Sequence, residues 1–287
     1  MGLVKTVGLV LHPGRDCAPA MQTLLSWARD RSVRVLALEH ERGRVPGPTE
    51  PTAPEDLAER SDLLVSLGGD GTMLRAMRLS CGRKTPVLGV NVGRLGFLAE
   101  VDPPELGEAL CAIDEHRFTA ETRSGVQASF HGQQTIAFND VDLVRIPGHG
   151  SAAVLELTVE SHPFIRYAAD AVIVATPTGS TAYNFSAGGP IVSPNAEGLL
   201  VTPVAPHSSF NRALFLSASE KLSLTVLPTS GELAVEADGI VVGQVRPGDR
   251  VDVVTVPEAA QVIRLGRTTF YQRAQRKLQV TGSAEAY

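Results

Sequence analysis

Long apolar runs are missing from this chain. No window approaches the eighteen or so apolar residues of a membrane-crossing helix, and Met1 to Leu11 lacks the apolar stretch of a signal peptide. Cysteine is scarce: Cys17, Cys81 and Cys111 stand far apart with no CxxC pair, so neither a disulfide framework nor a zinc knuckle is indicated and three reduced thiols are expected. Positive charge is in deficit, with 26 Lys and Arg against 31 Asp and Glu and a net charge of −5. That balance argues against a general nucleic-acid binder, which carries a basic face. The histidines His40, His116, His131, His149 and His162 have no metal-site spacing, and there is no internal repeat or low-complexity tract. These absences together lead to the expectation of a cytoplasmic protein with no nucleic-acid or membrane partner.

What is present is a change of pattern partway along 287 residues. The first third alternates strand and helix signals: Thr6 to Leu11 and Val33 to Leu38 as strands, Ala18 to Asp30 as a helix with Met21, Leu24, Leu25 and Ala28 on one face. A Pro- and Gly-rich connection from Gly43 to Pro54 precedes further strands at Leu63 and at Pro86 to Val90. This predicts an α/β domain with a parallel sheet. Beyond a helical stretch at Pro104 to Glu115, short β-branched runs take over, as in Val141 to Ile146, Val154 to Val159 and Leu222 to Leu227. An antiparallel β domain is expected there, with turns at Pro147-Gly148-His149-Gly150 and Pro247-Gly248-Asp249. Thr268 to Leu278 reads as a closing helix followed by a frayed end, and Arg264, Arg267, Arg273 and Arg276 as a solvated basic face, with attraction of phosphates as the lesser option. The expected division is 1–116, 117–262 and a C-terminal segment 263–287 that packs back on the first domain.

Leu67-Gly68-Gly69-Asp70-Gly71-Thr72 follows the apolar run Leu63-Leu64-Val65 and places one carboxylate in a glycine-rich turn before a helix. Glycines bare the backbone N–H groups and a helix N-terminus favours anions, so a phosphate can approach closely. The turn has neither the third glycine of the dinucleotide fingerprint nor the Lys-Ser/Thr ending of a Walker loop. Alone it reads equally as a tight turn with Asp70 as a helix cap. A second segment, Asp170 through Pro190, runs a buried strand into a turn dense with hydroxyls: Thr176, Thr178, Ser180 and Thr181, with Tyr183 offering an aromatic face.

Together these segments resemble the NAD kinase family of bacterial type. The resemblance rests on Gly68-Gly69-Asp70-Gly71, the loop Asn91 to Leu98, Asn139-Asp140, Thr176 to Tyr183 with Ser186 and Gly188-Gly189-Pro190 after it, and Thr202 to His207. The turn alone is shared with diacylglycerol-type lipid kinases and phosphofructokinases; the long second motif is the specific one. The resemblance implies a Rossmann-like N-terminal domain followed by an antiparallel β-sandwich-like C-terminal domain, a substrate cleft between them, and a homodimer or homotetramer. It implies transfer of the ATP γ-phosphoryl group, or polyphosphate in some members, to the adenosine 2′-hydroxyl of NAD, with Mg2+ or another divalent metal. By motif position Asp70 would be the base or orienting acceptor. Gly69, Gly71 and Thr72 would face phosphates, and Phe97 would line the cleft. Asn139, Asp140, Asp170, Thr178, Ser180, Thr181, Ala182, Tyr183 and Ser186 would hold the dinucleotide. No protein metal-ligand set is expected.

The chain departs from the family at Asp140, where a Glu is usual, at Ala171, where a Gly is usual, and at Ala213, where a Pro is usual. Asp140, Ala171 and Ala213 open the alternative of a family paralogue acting on another nucleotide or nucleoside, and a non-catalytic dinucleotide sensor that keeps the cleft without turnover is a further alternative. Asp238-Gly239 reads as a hairpin turn, with a role in the cleft as the lesser option.

Overall fold

The computed structural model describes residues 2–93, 96–149, 152–207 and 210–279. Arg94, Leu95 and Gly150, which fall in the loops quoted above, lie outside the described residues, as does the end of the chain expected to fray. Two compact units are formed, Met1–Thr122 with Ala260–Tyr287, and Arg123–Ala259.

In the first unit β1 (Thr6–Leu11), α1 (Ala18–Arg31), β2 (Arg34–Leu38), β3 (Glu50–Thr52), α2 (Pro54–Leu57), β4 (Leu63–Gly68), α3 (Asp70–Leu79), β5 (Val87–Asn91) and α4 (Leu106–Asp114) follow one another. The strands pair in parallel in the order β3-β2-β1-β4-β5. Every residue of β1 and β4 is buried, which is why their sequences run apolar without alternation: helices cover both faces of such a sheet. Helix α1 buries Met21, Leu24 and Ala28 as its spacing predicts, but Trp27 is buried in place of the expected Leu25, which is only partly covered. The strand β3 lies within the stretch expected to be a plain connection.

In the second unit β6 (Thr119–Phe130) enters from the first, followed by β7 (Gln133–Ala137), β8 (Asp140–Arg145), β9 (Ala153–Val159), β10 (His162–Ala169), β11 (Ala171–Ala175), α5 (Tyr183–Ser186), β12 (Gly198–Val204), β13 (Leu214–Ser217), β14 (Leu222–Val226), β15 (Leu233–Ala237) and β16 (Ile240–Val245). One antiparallel sheet runs β13-β12-β11-β8-β15-β16. Strands β10, β9 and β14 pair in a second antiparallel set that continues to the start of β17 (Arg250–Arg264). Inward side chains of both, among them Val141, Leu143, Val172 and Val174 against Leu155, Leu157, Tyr167 and Leu224, form one core. That is a β-sandwich. The Asp238-Gly239 pair turns β15 into β16 with positive φ at both residues, the geometry of a two-residue hairpin.

The last residues of β17 return to the first unit, where Val262 pairs in parallel with Val87. The helix α6 (Phe270–Leu278) follows, opened by a capping box between Thr269 and Gln272. Among the described residues no helix is long and apolar enough to cross a membrane.

Candidate active site

Strand β4 delivers the glycine turn at its carboxyl end, where ligands gather in parallel sheets. A Cβ at Gly68 would lie 2.1 Å from Thr72 Oγ1, so glycine lets α3 begin immediately behind the strand. The helix-cap reading of Asp70 is corrected: Gly69 is the N-cap and no side chain caps α3. The Asp70 carboxylate reaches instead to the loop after β5. Phe97 N–H donates to its Oδ2 at 3.0 Å and Leu98 N–H to its Oδ1 at 3.0 Å. Gly96 makes the approach possible, since a Cβ there would sit 2.1 Å from Asp70 Oδ1.

A third donor was not expected from sequence. Lys277 of α6 places its ammonium 3.1 Å from Asp70 Oδ2 and 4.6 Å from the centre of the Phe97 ring. The Phe97 ring is thus buried under α6, with the Phe270 ring centre 6.3 Å away. The solvated reading of the basic tail is corrected for two of its arginines. Arg273 is only 4% exposed and donates to Glu100 and to the Ala99 carbonyl, while Arg264 donates to Glu100 and Glu121. Buried Glu100 thereby anchors α6. Arg267 pairs with Glu105 and Glu108.

On the other flank of the turn, the Arg15 guanidinium donates to the Val92 carbonyl; a Cβ at Gly93 would lie 1.9 Å from its Nη1 and one at Gly69 4.0 Å from it. His12 accepts the Gly14 and Arg15 N–H groups at Nδ1, both at 3.0 Å. Its pKa is lowered, first by burial and then by the charges of Arg15, Arg44 and Arg75, so the neutral imidazole that accepts those bonds is favoured. Thr72 Oγ1 is buried with no hydrogen-bond partner.

In the second unit the Thr176 to Ser186 turn folds over the outer face of the six-stranded sheet, where Ala187 and Val192 pack against Ile173, Ala175 and Leu200. Thr176 bonds the Phe138 carbonyl and the Gly179 N–H. Ser180 is fully buried, its hydroxyl donating to the Val192 carbonyl and accepting the Val192 N–H, and Asn184 ties Ser180 to Pro190. These groups shape the turn; Thr181, Ala182, Tyr183 and Ser186 reach its surface. Thr178 is nearly covered and Asn139 half-covered. A Cβ at Gly179 would fall 2.1 Å from the Asn139 carbonyl oxygen and 2.7 Å from Asn139 Cα. Since that neighbour is backbone, Gly179→Ala is expected to destabilise the unit by about 1–3 kcal/mol in chemical denaturation, as overpacking of a tight site does.

The same face carries an acidic group that sequence patterning hid. Asp140 and Asp142 lie two apart on β8, Glu236 is registered opposite Asp142 on β15, and Asp238 in the adjoining hairpin accepts the Phe138 and Asn139 N–H groups. Asp140 and Asp142 are 3% and 1% exposed, and each has one carboxyl oxygen without a partner. Burial, then the charge of Asp238 and Glu236, pushes Asp140 up to about 7 against the opposing pull of the Tyr183 N–H. Burial, then Asp140 and Glu236, pushes Asp142 up to about 9. The Tyr183 phenol is raised as well, first by burial and then by Asp142, Glu236, Asp170 and Asp140. Asp170, ahead of β11, pairs with Arg145 at 2.5 Å. Ala171 is fully buried within β11, a packing position.

Residues 7–118 match the ATP-NAD kinase N-terminal domain and residues 138–265 the ATP-NAD kinase C-terminal domain. The chain belongs to the NAD kinase family. It is 36% identical to NAD kinase 1 of Streptomyces avermitilis, covering 99% of this chain and 89% of that protein. It is 37% identical to the NAD kinase of Heliobacterium modesticaldum, covering 96% and 99% respectively. Among solved structures, yeast NADH kinase complexed with NADH superposes with a TM-score of 0.84 at 25% identity, over 100% of this chain and 90% of that one. An NAD kinase from Archaeoglobus fulgidus in complex with ATP shares the fold, with a TM-score of 0.74 at 24% identity over 96% and 100%. Asp70 and the Asn139 to Ser186 segment fall inside the two family matches; Lys277 falls outside both.

Proposed function

We propose that this chain is an ATP-dependent NAD kinase, transferring the γ-phosphoryl group to the 2′-hydroxyl of the adenosine ribose to give NADP. The observation that carries the chemistry is the Asp70 carboxylate, fixed by two backbone N–H groups at the mouth of a glycine turn. Phosphoryl transfer depends on positioning and charge neutralisation more than on covalent help from the protein. The ribose oxygen forms the new P–O bond, the β,γ-bridging oxygen leaves with ADP, and the hydroxyl proton passes to Asp70. Gly69, Gly71 and Thr72 face the phosphates in this reading, with Arg15 beside them. Asn139, Asp140, Thr178, Thr181, Ala182, Tyr183 and Ser186 recognise the nucleotide, Tyr183 by stacking. Ser180 contributes by shaping that turn and Phe97 by supporting Asp70.

Among the described residues no group of three or more His, Cys, Asp or Glu is placed to hold a metal ion. In this reading the divalent metal enters with ATP, and no protein side chain is assigned to it. A homodimer or homotetramer in the cytoplasm completes the reading. In support of self-association, the edge strand β16 exposes Ile240 and Val241, and the opposite edge β13 exposes Phe215. Light scattering should then give a mass of two or four chains.

The deciding assay incubates purified protein with ATP, magnesium and NAD and reads NADP by mass spectrometry, with NADH and adenosine nucleotides as parallel acceptors. NADP is the expected product. Phosphorylation of another acceptor in its place, or tight NAD binding without turnover under any donor, would overturn the reading in favour of a paralogue or a sensor.

A further inference from the structure

We propose that Lys277 is a positioning residue for phosphoryl transfer, holding Asp70 so that Oδ1 is the oxygen left to accept the reacting hydroxyl. The inference rests on the kinase reading above and adds to it a residue outside both family matches.

A carboxylate oxygen offers about two acceptor sites. Asp70 Oδ2 takes both the Phe97 N–H at 3.0 Å and the Lys277 ammonium at 3.1 Å, which fills it. Among the described residues, Asp70 Oδ1 takes only the Leu98 N–H. The lysine therefore distinguishes the two oxygens, and the one with capacity to spare lies where Gly96 has no side chain.

Lys277 is also not an ordinary surface lysine, whose ion pairs contribute little because the chain end wanders. Its helix is locked from two sides. Arg273, one turn earlier on the same face, is buried against Glu100 and the Ala99 carbonyl, and Phe270, two turns earlier, meets the Phe97 ring. The ammonium lies over that same ring, and its side chain is 34% exposed beside an Asp70 side chain 27% exposed. Half-covered groups of this kind keep their geometry yet remain open to a ligand. Without the ammonium, Oδ2 would also be able to take the hydroxyl, and the carboxylate would hold its substrate in two poses. A misplacement near 1 Å in such a step costs on the order of a hundredfold in rate.

The test measures kcat, both KM values and thermal midpoints for wild type, Lys277→Ala, Lys277→Met, Lys277→Arg, Asp70→Asn and the Asp70→Asn/Lys277→Ala double variant. Lys277→Ala and Lys277→Met should lose on the order of tenfold to a hundredfold in kcat, with little change in either KM and, for Met, which keeps the length of the side chain without its charge, little change in midpoint. Lys277→Arg should recover most of the loss. The double variant should be no slower than Asp70→Asn alone, because the lysine acts through that carboxylate. Full turnover in either neutral variant, or losses that multiply in the double variant, would overturn the inference. So would a fall in kcat that only tracks a fall in midpoint in both Ala and Met variants. An inactive wild type overturns the kinase reading itself and this inference with it; an active wild type beside active Lys277→Ala overturns this inference alone.

Discussion

Asp70→Asn should leave the fold in place and remove between a hundredfold and ten-thousandfold of the turnover number, the range lost with a positioned proton acceptor. The size of the loss follows from the donors around the carboxylate. Asn keeps the shape but replaces one oxygen with an NH2 group, and both oxygens of Asp70 face a backbone N–H. At the Oδ2 position that NH2 would oppose Phe97 N–H and the Lys277 ammonium together; at Oδ1 it would oppose Leu98 N–H alone. The side chain therefore settles with its nitrogen at Oδ1, which removes the acceptor from the place where the hydroxyl arrives. One opposed N–H pair costs about 1–3 kcal/mol, so the variant should remain folded with a modestly lower melting midpoint. Steady-state NADP formation checks the rate, and NAD binding by calorimetry should be close to unchanged. Turnover within tenfold of wild type would show that Asp70 neither accepts the proton nor orients the hydroxyl.

Where function could be read directly in the sequence, the residues concerned are neighbours in the chain. The glycine turn reads because Gly68 leaves room for α3 to start directly behind the strand, and the Thr176 to Ser186 turn because hydroxyls close together in the chain bond its backbone, Thr176 accepting the Gly179 N–H and Thr181 donating to the Thr178 carbonyl. The α/β character of the first unit reads for the same reason, as its strands are short, predominantly apolar runs without alternation. The short edge strand β3 did not read because Pro51 and Glu50 carry no strand signal and parallel pairing with β2 alone holds it. Lys277 did not read because 207 residues separate it from Asp70 and its helix pattern records only that one face is covered, not what lies there. Arg273 looked like solvated charge because a buried salt bridge with Glu100 has no local signature. Asp142 was hidden for a related reason: alternation places it on the face of β8 opposite the core, a position that ordinarily meets water, and here it is buried.

That covered carboxyl leads to the other large expected effect, a stability difference that grows with pH. Asp142→Asn should be no more stable than wild type at about pH 4 and more stable by on the order of 2 kcal/mol at pH 8.5. An ordinary carboxyl ionises near 3.8, whereas burial followed by the charges of Asp140 and Glu236 pushes Asp142 up to about 9. Below about pH 4 both folded and unfolded chains hold the proton and the group is neutral to stability. As pH rises toward 9 the unfolded chain releases it and the folded chain keeps it, so the folded state binds more protons and stability falls with pH. The full linkage over that interval is an upper bound, because the site relaxes and Asp140, itself raised to about 7, shares the titration. Asn cannot ionise, so its difference from wild type should open steadily from about pH 4 to pH 8.5. At the acid end the variant gains nothing, since its amide meets the same unpartnered burial as the Asp142 Oδ1 atom. Thermal melts of the pair across that range decide the matter: a few degrees of separation appearing only toward alkaline pH is the expected outcome, and parallel profiles would show that Asp142 is ionised in the fold and compensated by a partner cation.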